Sequence, residues 1–252
     1  MVKIAHASID ENRQAKGGQA GDQTGKEVCV RDWYSKPWNC VIRFNDVKMA
    51  EKVAECMEKA AANDNIGYDQ NQRNTLLNLA RKYNYDVSKV TEPCETDCSA
   101  LVSVACMYAG IPESSLTLHG NCATTRTLRA ILKATGEVSI FTTPLYTNRK
   151  DKLKKGDILL KEGSHVAVVV SAEGNPYNLN KSVLKLDDKG ESVKWLQWQL
   201  NQKGANLVVD GIYGKQTTLA VLLFQKDNVD ENGKPLVCDG IVGKHTINAL
   251  MR

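Results

Sequence analysis

The chain has 252 residues, 42% hydrophobic and 25% charged, with a net charge of +4, which is ordinary for a globular protein of one large domain or of a catalytic domain plus a small module. It contains no apolar run of the roughly 18 residues that a membrane helix needs, and the opening MVKIAHASID lacks the apolar centre of a secretory signal. Acidic and basic residues are interspersed, so we expect neither membrane insertion nor nucleic-acid binding.

Two amphipathic helices are predicted in the first third of the chain, over residues 47–62 and 72–83. Their apolar stripes fit packing over a sheet, and their charged residues fit a solvated face. Residues 21–25, GDQTG, form a turn rich in hydrogen-bonding groups between two predicted strands, and residues 66–73, IGYDQNQR, precede the second helix. Both segments could simply be turns and helix caps.

The segment at 96–110, TDCSALVSVACMYAG, predicts a buried helix with a cysteine in its first turn. Thr96 or Asp97 can cap its N-terminus, and Gly110 and Pro112 can end it. Cys98 would then lie where free N–H groups and the helix dipole favour a thiolate and could receive an oxyanion. Most cysteines in such a position are structural, so a catalytic thiol also needs a base.

The best candidate for that base is His165, in residues 154–171, KKGDILLKEGSHVAVVVS. This segment predicts a strand, a glycine turn and a second strand that opens with the histidine. Taken alone, a histidine at the start of an apolar strand is more often structural. Paired with Cys98, it becomes the predicted general base.

The eight cysteines and four histidines give no disulfide or zinc pattern. Their spacing is irregular, which is typical of reduced thiols in a protein made in a cytoplasm. Cys94 and Cys98 have no matching second pair, and the histidines stand alone. We therefore expect no metal and no cofactor.

The chain divides near residues 173–184, where Gly, Asn and Pro cluster as in a linker. Further on, DGIYGKQT at 210–217 is echoed by DGIVGKHT at 239–246, and in each a glycine turn is followed by a threonine that can cap a helix. A helix over 191–203 has an apolar stripe of Val193, Leu196 and Leu200. These features predict a small three-helix domain.

The C-terminal wording closely resembles the peptidoglycan-binding domain appended to many cell-wall hydrolases. The matching stretches are KGESVKWLQWQL at 189–200, VDGIYGKQTTLAVLLFQ at 209–225 and CDGIVGKHTINAL at 238–250. The resemblance implies peptidoglycan as the ligand, with Trp195, Trp198, Asp210 and Tyr213 as candidates for the contact face. Each tryptophan could instead only pack the bundle.

The N-terminal region resembles the NlpC-like cysteine peptidases of peptidoglycan, through DCSALV, KKGDILL and SHVAVVV in that order. The resemblance implies a papain-like active site in which Cys98 is the nucleophile, His165 the base, and Asp97 and Ser99 help grip the substrate. Ala100 departs from the glycine that the family often has. The expected fold is α+β, with a papain-like antiparallel sheet packed with helices over 1–174, a linker over 175–184 and an all-α three-helix domain over 185–252.

A third catalytic residue is expected on the strand after the base strand, but there the chain runs into the linker. Residues 2–8, VKIAHAS, resemble that missing strand instead. We therefore infer a circular permutant whose amino-terminal strands lie beside the His165 strand, with His6 orienting the base. His6 could also be an ordinary exposed residue near a frayed end, in which case Asn175 or Asn178 would be the next candidates.

The predicted function is that of a phage endolysin, a monomer that cleaves an amide bond in the peptidoglycan stem peptide after D-γ-glutamate by a thiol mechanism. Tyr68 precedes the cysteine as a substrate-contact tyrosine does in the family, and with Asp22 and Gln23 it is predicted to bind substrate. Cleavage of the muramoyl–L-alanine amide, acyl transfer and a non-catalytic wall-binding role remain open. Without a signal peptide, the protein would be made in the host cytoplasm and act on the cell wall after release.

Overall fold

The computed structural model describes residues 2–150, 152–172 and 175–251. The chain divides into two compact units, Met1–Gly174 and Asn175–Arg252, and each is described by itself. In the described ranges, no helix combines the length and the apolar character needed to cross a membrane.

An antiparallel sheet forms the centre of the first unit. In chain order the strands are β1 (Lys3–Ala7), β2 (Val28–Asp32), β3 (Cys40–Phe44), β4 (Ile66–Tyr68), β5 (Cys94–Thr96), β6 (Thr117–Leu118), β7 (Asn121–Cys122), β8 (Val138–Phe141), β9 (Ile158–Lys161) and β10 (His165–Ser171). Within the described residues, six of them form the main sheet in the spatial order β2-β1-β10-β9-β3-β8. Strand β10 is buried from His165 to Val170, as its run of valines favours.

The amino-terminal strand lies beside the strand that carries His165. Strand β1 pairs antiparallel with β10, with Ile4 opposite Val169 and Ala5 opposite Val168, and its other edge pairs with β2. Residues from Ile4 to Ala7 are all buried. The two ends of the first unit therefore meet in the middle of one sheet, although they are far apart along the chain.

Helices cover this sheet. Their bounds are α1 (Val47–Ala61), α2 (Thr75–Ala80), α3 (Cys98–Tyr108), α4 (Glu113–Leu116), α5 (Leu128–Ala134) and α6 (Pro144–Thr147), with 3₁₀ turns at Arg81–Tyr83 and Val87–Lys89. Helix α1 packs an apolar stripe against the sheet and keeps its charged residues outside. Helix α3 is buried on every side from Cys98 to Met107, as expected of a helix that is apolar all round.

A short parallel pair leads into α3. Strands β4 and β5 place Gly67 opposite Glu95 and Tyr68 opposite Thr96, and two residues after Thr96 the chain enters α3 at Cys98. The segment that precedes the cysteine is therefore fixed by backbone pairing to the segment that carries Tyr68.

The second unit consists of helices α7 (Glu191–Gln202), α8 (Lys215–Asp227) and α9 (Lys244–Leu250). A glutamine on each of the first two helices fixes the glycine turn after it. Nε2 of Gln197 donates to Oδ1 of Asp210 at 2.8 Å, and Gly211 N–H donates back to Oε1 of Gln197 at 2.9 Å. In the second copy, Gln225 makes the same bonds with Asp239 and Gly240. The predicted fold class, α+β with an antiparallel sheet packed with helices and a helical C-terminal region, is confirmed.

The segment predicted as a linker lies against the second unit. The side chain of Asn175 donates to the carbonyl oxygen of Trp195 at 2.7 Å, and Asn180 N–H donates to Oγ of Ser192 at 2.8 Å. Leu184 is fully buried in the helical core. Residues 175–184 therefore pack against the second unit, because their few apolar side chains cover its hydrophobic core.

Candidate active site

An aspartate cap positions the cysteine at the start of α3. Oδ1 of Asp97 accepts hydrogen bonds from the N–H groups of Ser99, at 2.9 Å, and Ala100, at 2.7 Å. Those two donors of the first turn are therefore already used. In the described part of the chain no acceptor bonds the N–H of Cys98. Of the N–H groups in the first turn of α3 that were expected to receive an oxyanion, only the N–H of Cys98 therefore remains available, within the described residues.

Burial dominates the acidity of the Cys98 thiol. The residue is 6% exposed, and loss of hydration, together with the negative charge of Asp97, raises the pKa of the thiol to about 12. The nearby backbone N–H of Val166 and the charge of Arg73 act in the opposite direction. The expected thiolate is thus corrected to a thiol, because desolvation outweighs the roughly 0.3–1 kcal/mol that a helix dipole contributes.

Two histidines form a buried pair next to this thiol. Val166, whose backbone N–H lowers the pKa of the Cys98 thiol, directly follows His165 in β10. Nε2 of His165 lies 2.9 Å from Nδ1 of His6, with the rings at 79° to each other. His6 is 3% exposed and His165 is 8% exposed. The structure therefore joins His165 and His6 directly, and it packs helix α3, which begins at Cys98, against strand β10, which begins at His165.

Both imidazoles are neutral at pH 7. Burial, then the charges of His6 and Lys36, lower the pKa of His165 to about 3. Burial, then Arg31 and Lys36, lower the pKa of His6 to about 4. A neutral pair shares one N–H across the 2.9 Å contact, so one ring donates and the other accepts.

Aromatic side chains between β2 and β3 cover the histidines. The Trp38 ring stacks on His165 with centroids 6.3 Å apart and an angle of 27°, and Tyr34 lies 6.3 Å from the His6 ring. These contacts restrict rotation of both imidazoles. This role was not predicted from the sequence, although the aromatic-rich segment WYSKPW at 33–38 was an indication of it.

Arg73 is a second residue that sequence analysis missed. Its Nε donates to Oδ2 of Asp97 at 2.5 Å, and its Nη2 donates to Oγ of Ser99 at 3.0 Å. It also donates to the carbonyl oxygens of Cys122 and Ala123. Asp97 and Ser99, predicted to grip substrate, are therefore buried members of a network that fixes the start of α3.

Tyr68 lies close enough to Cys98 for the two groups to influence each other's ionisation. The residue is 4% exposed, and burial, with a smaller contribution from Cys98, raises the pKa of its phenol to about 12. Its hydroxyl accepts a hydrogen bond from Nε2 of Gln70 at 3.1 Å. Of Tyr68, Asp22 and Gln23, the predicted substrate-binding residues that precede the Cys98 segment, Tyr68 is the one near the thiol.

Asp22 and Gln23 serve the loop that contains them. Oδ2 of Asp22 accepts from the N–H groups of Glu27 at 3.0 Å and Val28 at 3.2 Å. Nε2 of Gln23 donates to the carbonyl oxygen of Ala20 at 3.0 Å. These bonds shape the turn before β2, so their geometry gives no support to a substrate-binding role.

A pocket of about 730 Å³ opens beside His6, and its other lining residues come from β2 and from the loop between β1 and β2. The lining carries both basic and acidic side chains. Its lining includes His6, Asp10, Glu11, Arg13, Lys26 and Arg31.

Two of the four predicted wall-contact residues lie in the core of the second unit. Tyr213 is fully buried and its hydroxyl donates to the carbonyl oxygen of Gly240 at 2.8 Å, and Trp195 is 6% exposed. Neither presents a surface to a ligand, which corrects that expectation. Asp210 accepts from Gln197 in the glycine turn, while Trp198 is partly exposed.

The eight cysteines, all in described ranges, are free thiols. Among the described residues, no group of three or more His, Cys, Asp or Glu side chains is placed so that it could hold a metal ion.

Known protein families match both parts of the chain. Residues 4–176 match the family described as Endolysin-like domain, and residues 189–250 match a peptidoglycan binding domain. Among solved structures, a crystal structure of Burkholderia AP3 phage endolysin is 41% identical over 28% of this chain and 25% of that chain, with a TM-score of 0.25. This chain therefore matches about a quarter of that endolysin's length, and no curated protein matches it. Because the first match covers more than half of the chain, the chain belongs to the endolysin-like domain family.

Proposed function

We propose that this protein is a peptidoglycan hydrolase that cleaves an amide bond of the stem peptide with Cys98 as nucleophile and His165 as base. The observation that carries the proposal is the 2.9 Å bond between His165 and His6 at the start of β10, the strand whose next residue, Val166, acts through its backbone N–H on the pKa of the Cys98 thiol. A thiol, a base and a group that orients the base are the parts that nucleophilic catalysis needs.

The reaction starts from a neutral thiol and a neutral imidazole, because burial disfavours both charged forms. If Nε2–H of His165 donates to Nδ1 of His6, Nδ1 of His165 is left to take the thiol proton. The sulfur attacks the amide carbonyl as that proton moves, and the N–H of Cys98 stabilises the oxyanion. His165 then protonates the leaving amine, and water releases the acyl group from the sulfur.

His6 acts through His165. During attack His165 becomes positively charged, and a hydrogen bond to the lone pair of His6 Nδ1 stabilises that charge while it fixes the ring. The pairing of β1 with β10 supports an NlpC-like, circularly permuted peptidase type, since it supplies this residue from the amino-terminal strand.

The proposed substrate bond follows D-γ-glutamate, and the muramoyl–L-alanine amide is its rival. The C-terminal domain would hold the enzyme on the wall and so raise the effective substrate concentration at the thiol without adding a catalytic contact. After synthesis in the host cytoplasm, the enzyme would act on the cell wall.

The test compares clearing of purified cell walls by the wild type, Cys98→Ala and Cys238→Ala, the last being an exposed thiol in the second unit. We expect the wild type and Cys238→Ala to clear walls and Cys98→Ala to fail while it keeps its circular dichroism spectrum. Equal clearing by all three would overturn the thiol mechanism, and no clearing by any would favour a purely wall-binding protein.

Mass spectrometry of products from defined muropeptides distinguishes the bond. Cleavage after D-γ-glutamate leaves L-alanine on the glycan side, whereas an amidase releases the peptide with a free L-alanine amine. Ligated muropeptides would instead indicate acyl transfer.

A further inference from the structure

The pocket of about 730 Å³ beside His6 is lined by side chains to which the proposed reaction gives no role, apart from His6 itself. In the β1–β2 pair His6 lies opposite Cys29, and Arg31 follows Cys29 by two residues, so the three side chains extend from the same face of the sheet. Ile9 and Val30 also line the pocket and are 43% and 44% exposed. The pocket is therefore large enough for an amino-acid residue, and it combines apolar surface with charge.

Three basic side chains of the lining are exposed. They belong to Arg13, Lys26 and Arg31. In the described ranges, none of the three forms an ion pair with a carboxylate. Arg31 instead lies over the ring of Tyr34, with its guanidinium carbon 4.9 Å from the ring centroid. This contact restricts the planar guanidinium and leaves its N–H donors for a ligand.

The two carboxylates of the lining are turned into their own loop. Oδ1 of Asp10 accepts from the N–H of Asn12 at 2.9 Å, and Oε1 of Glu11 accepts from the N–H of Gln19 at 3.1 Å. Their other oxygens are buried, and they would lie 3.4 Å and 3.0 Å from a methyl group built on Gly18. The charge that the pocket presents to a ligand is therefore mainly positive.

His6 adds a buried ring nitrogen without a partner. Its Nδ1 lies 2.9 Å from Nε2 of His165, and its Nε2 is buried with no hydrogen-bond partner among the described residues. If Nδ1 accepts from His165, as in the proposed reaction, the proton of neutral His6 is on Nε2. A buried N–H group normally has an acceptor, so an acceptor supplied by a ligand in the pocket would satisfy it.

The positive charge of the pocket also acts on the histidine pair. Arg31 contributes to lowering the pKa values of both His6 and His165. An anion beside Arg31 would offset that charge, and it would stabilise the positive charge that His165 acquires in the proposed reaction. An anion is therefore the class of ligand that fits both the charge and the unpartnered nitrogen.

We propose that this pocket is a subsite for a carboxylate on the leaving part of the stem peptide, bound by Arg31 and by Nε2–H of His6. Because His165 protonates the leaving amine, the substrate on the histidine side of the thiol is the leaving peptide. A guanidinium group binds a carboxylate through two parallel N–H donors, and Ile9 and Val30 offer an apolar surface to the aliphatic part of the same residue. The identity of the ligand rests on the proposed function.

The experiment measures binding to full-length Cys98→Ala, so that the probe is not consumed. The probes are the tripeptide L-alanyl-γ-D-glutamyl-L-lysine with a free terminal carboxylate and its C-terminal amide, which differ only in that group. Each is titrated at constant ionic strength while the NMR signals of the His6 ring and the Arg31 guanidinium are followed. The acid should shift both signals and bind about tenfold more tightly than the amide, because the amide loses the charge-assisted pair.

Variants in the same Cys98→Ala background locate the subsite. Arg31→Gln should reduce the preference for the acid to less than about twofold, and Lys26→Gln should reduce it in part. The charge-matched control is Lys52→Gln, on the exposed side of α1 and outside the pocket lining, which should keep the full preference. All of these side chains are exposed, so the melting temperature should not change.

The subsite would be overturned by equal binding of acid and amide, by binding that leaves the His6 and Arg31 signals unmoved, or by a preference that survives in both Arg31→Gln and Lys26→Gln. An equal loss in Lys52→Gln would overturn it as well, since that result indicates net charge alone. Wall clearing by the protein with Cys98 intact is scored separately. Discrimination without clearing would defeat only the proposed hydrolysis, whereas clearing without discrimination would defeat only the subsite.

Discussion

His165 and His6 hydrogen-bond at 2.9 Å although 159 residues separate them in the chain. Three features hold this contact: the pairing of β1 with β10, the Trp38 ring stacked on His165, and complete burial of β1 around His6. An imidazole that accepts a proton during catalysis must keep one orientation. The proposed role of His6 is therefore to orient His165, and this role can be tested separately from folding.

Replacing His6 by alanine should lower kcat about a hundredfold with little change in KM, because His165 would still be present but neither oriented nor stabilised when charged. His6→Asn, whose amide oxygen can accept from His165, should recover part of the loss. The measurement is the rate of muropeptide cleavage. A fully active His6→Ala enzyme would mean that His165 is oriented by another group, and a lower melting temperature without a kcat effect would indicate a structural role only.

Acid should destabilise the first unit through the same pair. The pKa values of both histidines are lowered by burial, from 6.5 to about 3 and 4, so between those values and 6.5 the unfolded chain binds protons that the folded chain does not. Stability is therefore present above pH 6.5 and is lost as the pH falls, by about 1 kcal/mol per pH unit for each histidine. Glu95, whose pKa is raised, has the opposite slope in part of this window.

The difference between variants isolates the histidine contribution. Urea unfolding of the wild type and His6→Gln in EDTA, at several values from pH 4.5 to 7, should give a slope smaller by about 1 kcal/mol per pH unit for the variant. Identical slopes would show that His6 is protonated alike in the folded and unfolded states.

The sequence predicted Cys98, His165 and His6 as a candidate trio because each member stands in a short, readable pattern. Cys98 follows a helix cap, His165 opens a valine-rich strand, and VKIAHAS has the wording of the missing strand. Arg73 could not be predicted, since its partners at Asp97 and Cys122 become neighbours only when separate segments fold together. Tyr213 was misplaced for a related reason: a tyrosine in a glycine turn suggests a surface, but here it fills the core beneath the turn.

The acidity of the Cys98 thiol shows a second limit of prediction from sequence. A helix start favours a thiolate locally, but the degree of burial, which decides the outcome for Cys98, depends on every element packed over it. The hydrophobic pattern of the sequence therefore predicted the helices and strands, whereas the pKa of a buried group could be assigned only from the assembled fold.

The Cys98 thiol should react as a neutral group. With its pKa raised to about 12 by burial, its alkylation by iodoacetamide should accelerate about tenfold per pH unit between pH 7 and 10. Peptide mapping by mass spectrometry gives the rate at Cys98 alone, and the exposed Cys238 reports the reagent's activity in the same sample. A rate that stays flat from pH 6 to 8 would instead reveal a preformed thiolate–imidazolium pair.

Arg73 should contribute more to the free energy of unfolding than an exposed arginine does, because its partner Asp97 is buried. Side-chain exposure is 14% for Arg73 and 12% for Asp97, and Asp97 holds the first turn of α3. Arg73→Met would leave that carboxylate without its counter-charge, so the free energy of unfolding of the first unit should fall by about 3–5 kcal/mol.

The matched control is Arg81→Met, since the Arg81–Glu113 pair is more exposed, at 37% and 27%. Loss of that pair should change the free energy of unfolding by about 0–1 kcal/mol. Both values come from the urea transition of the first unit in the full chain. Equal losses in the two variants would mean that the Arg73–Asp97 bond is no stronger than a surface ion pair and that the aspartate cap alone fixes Cys98.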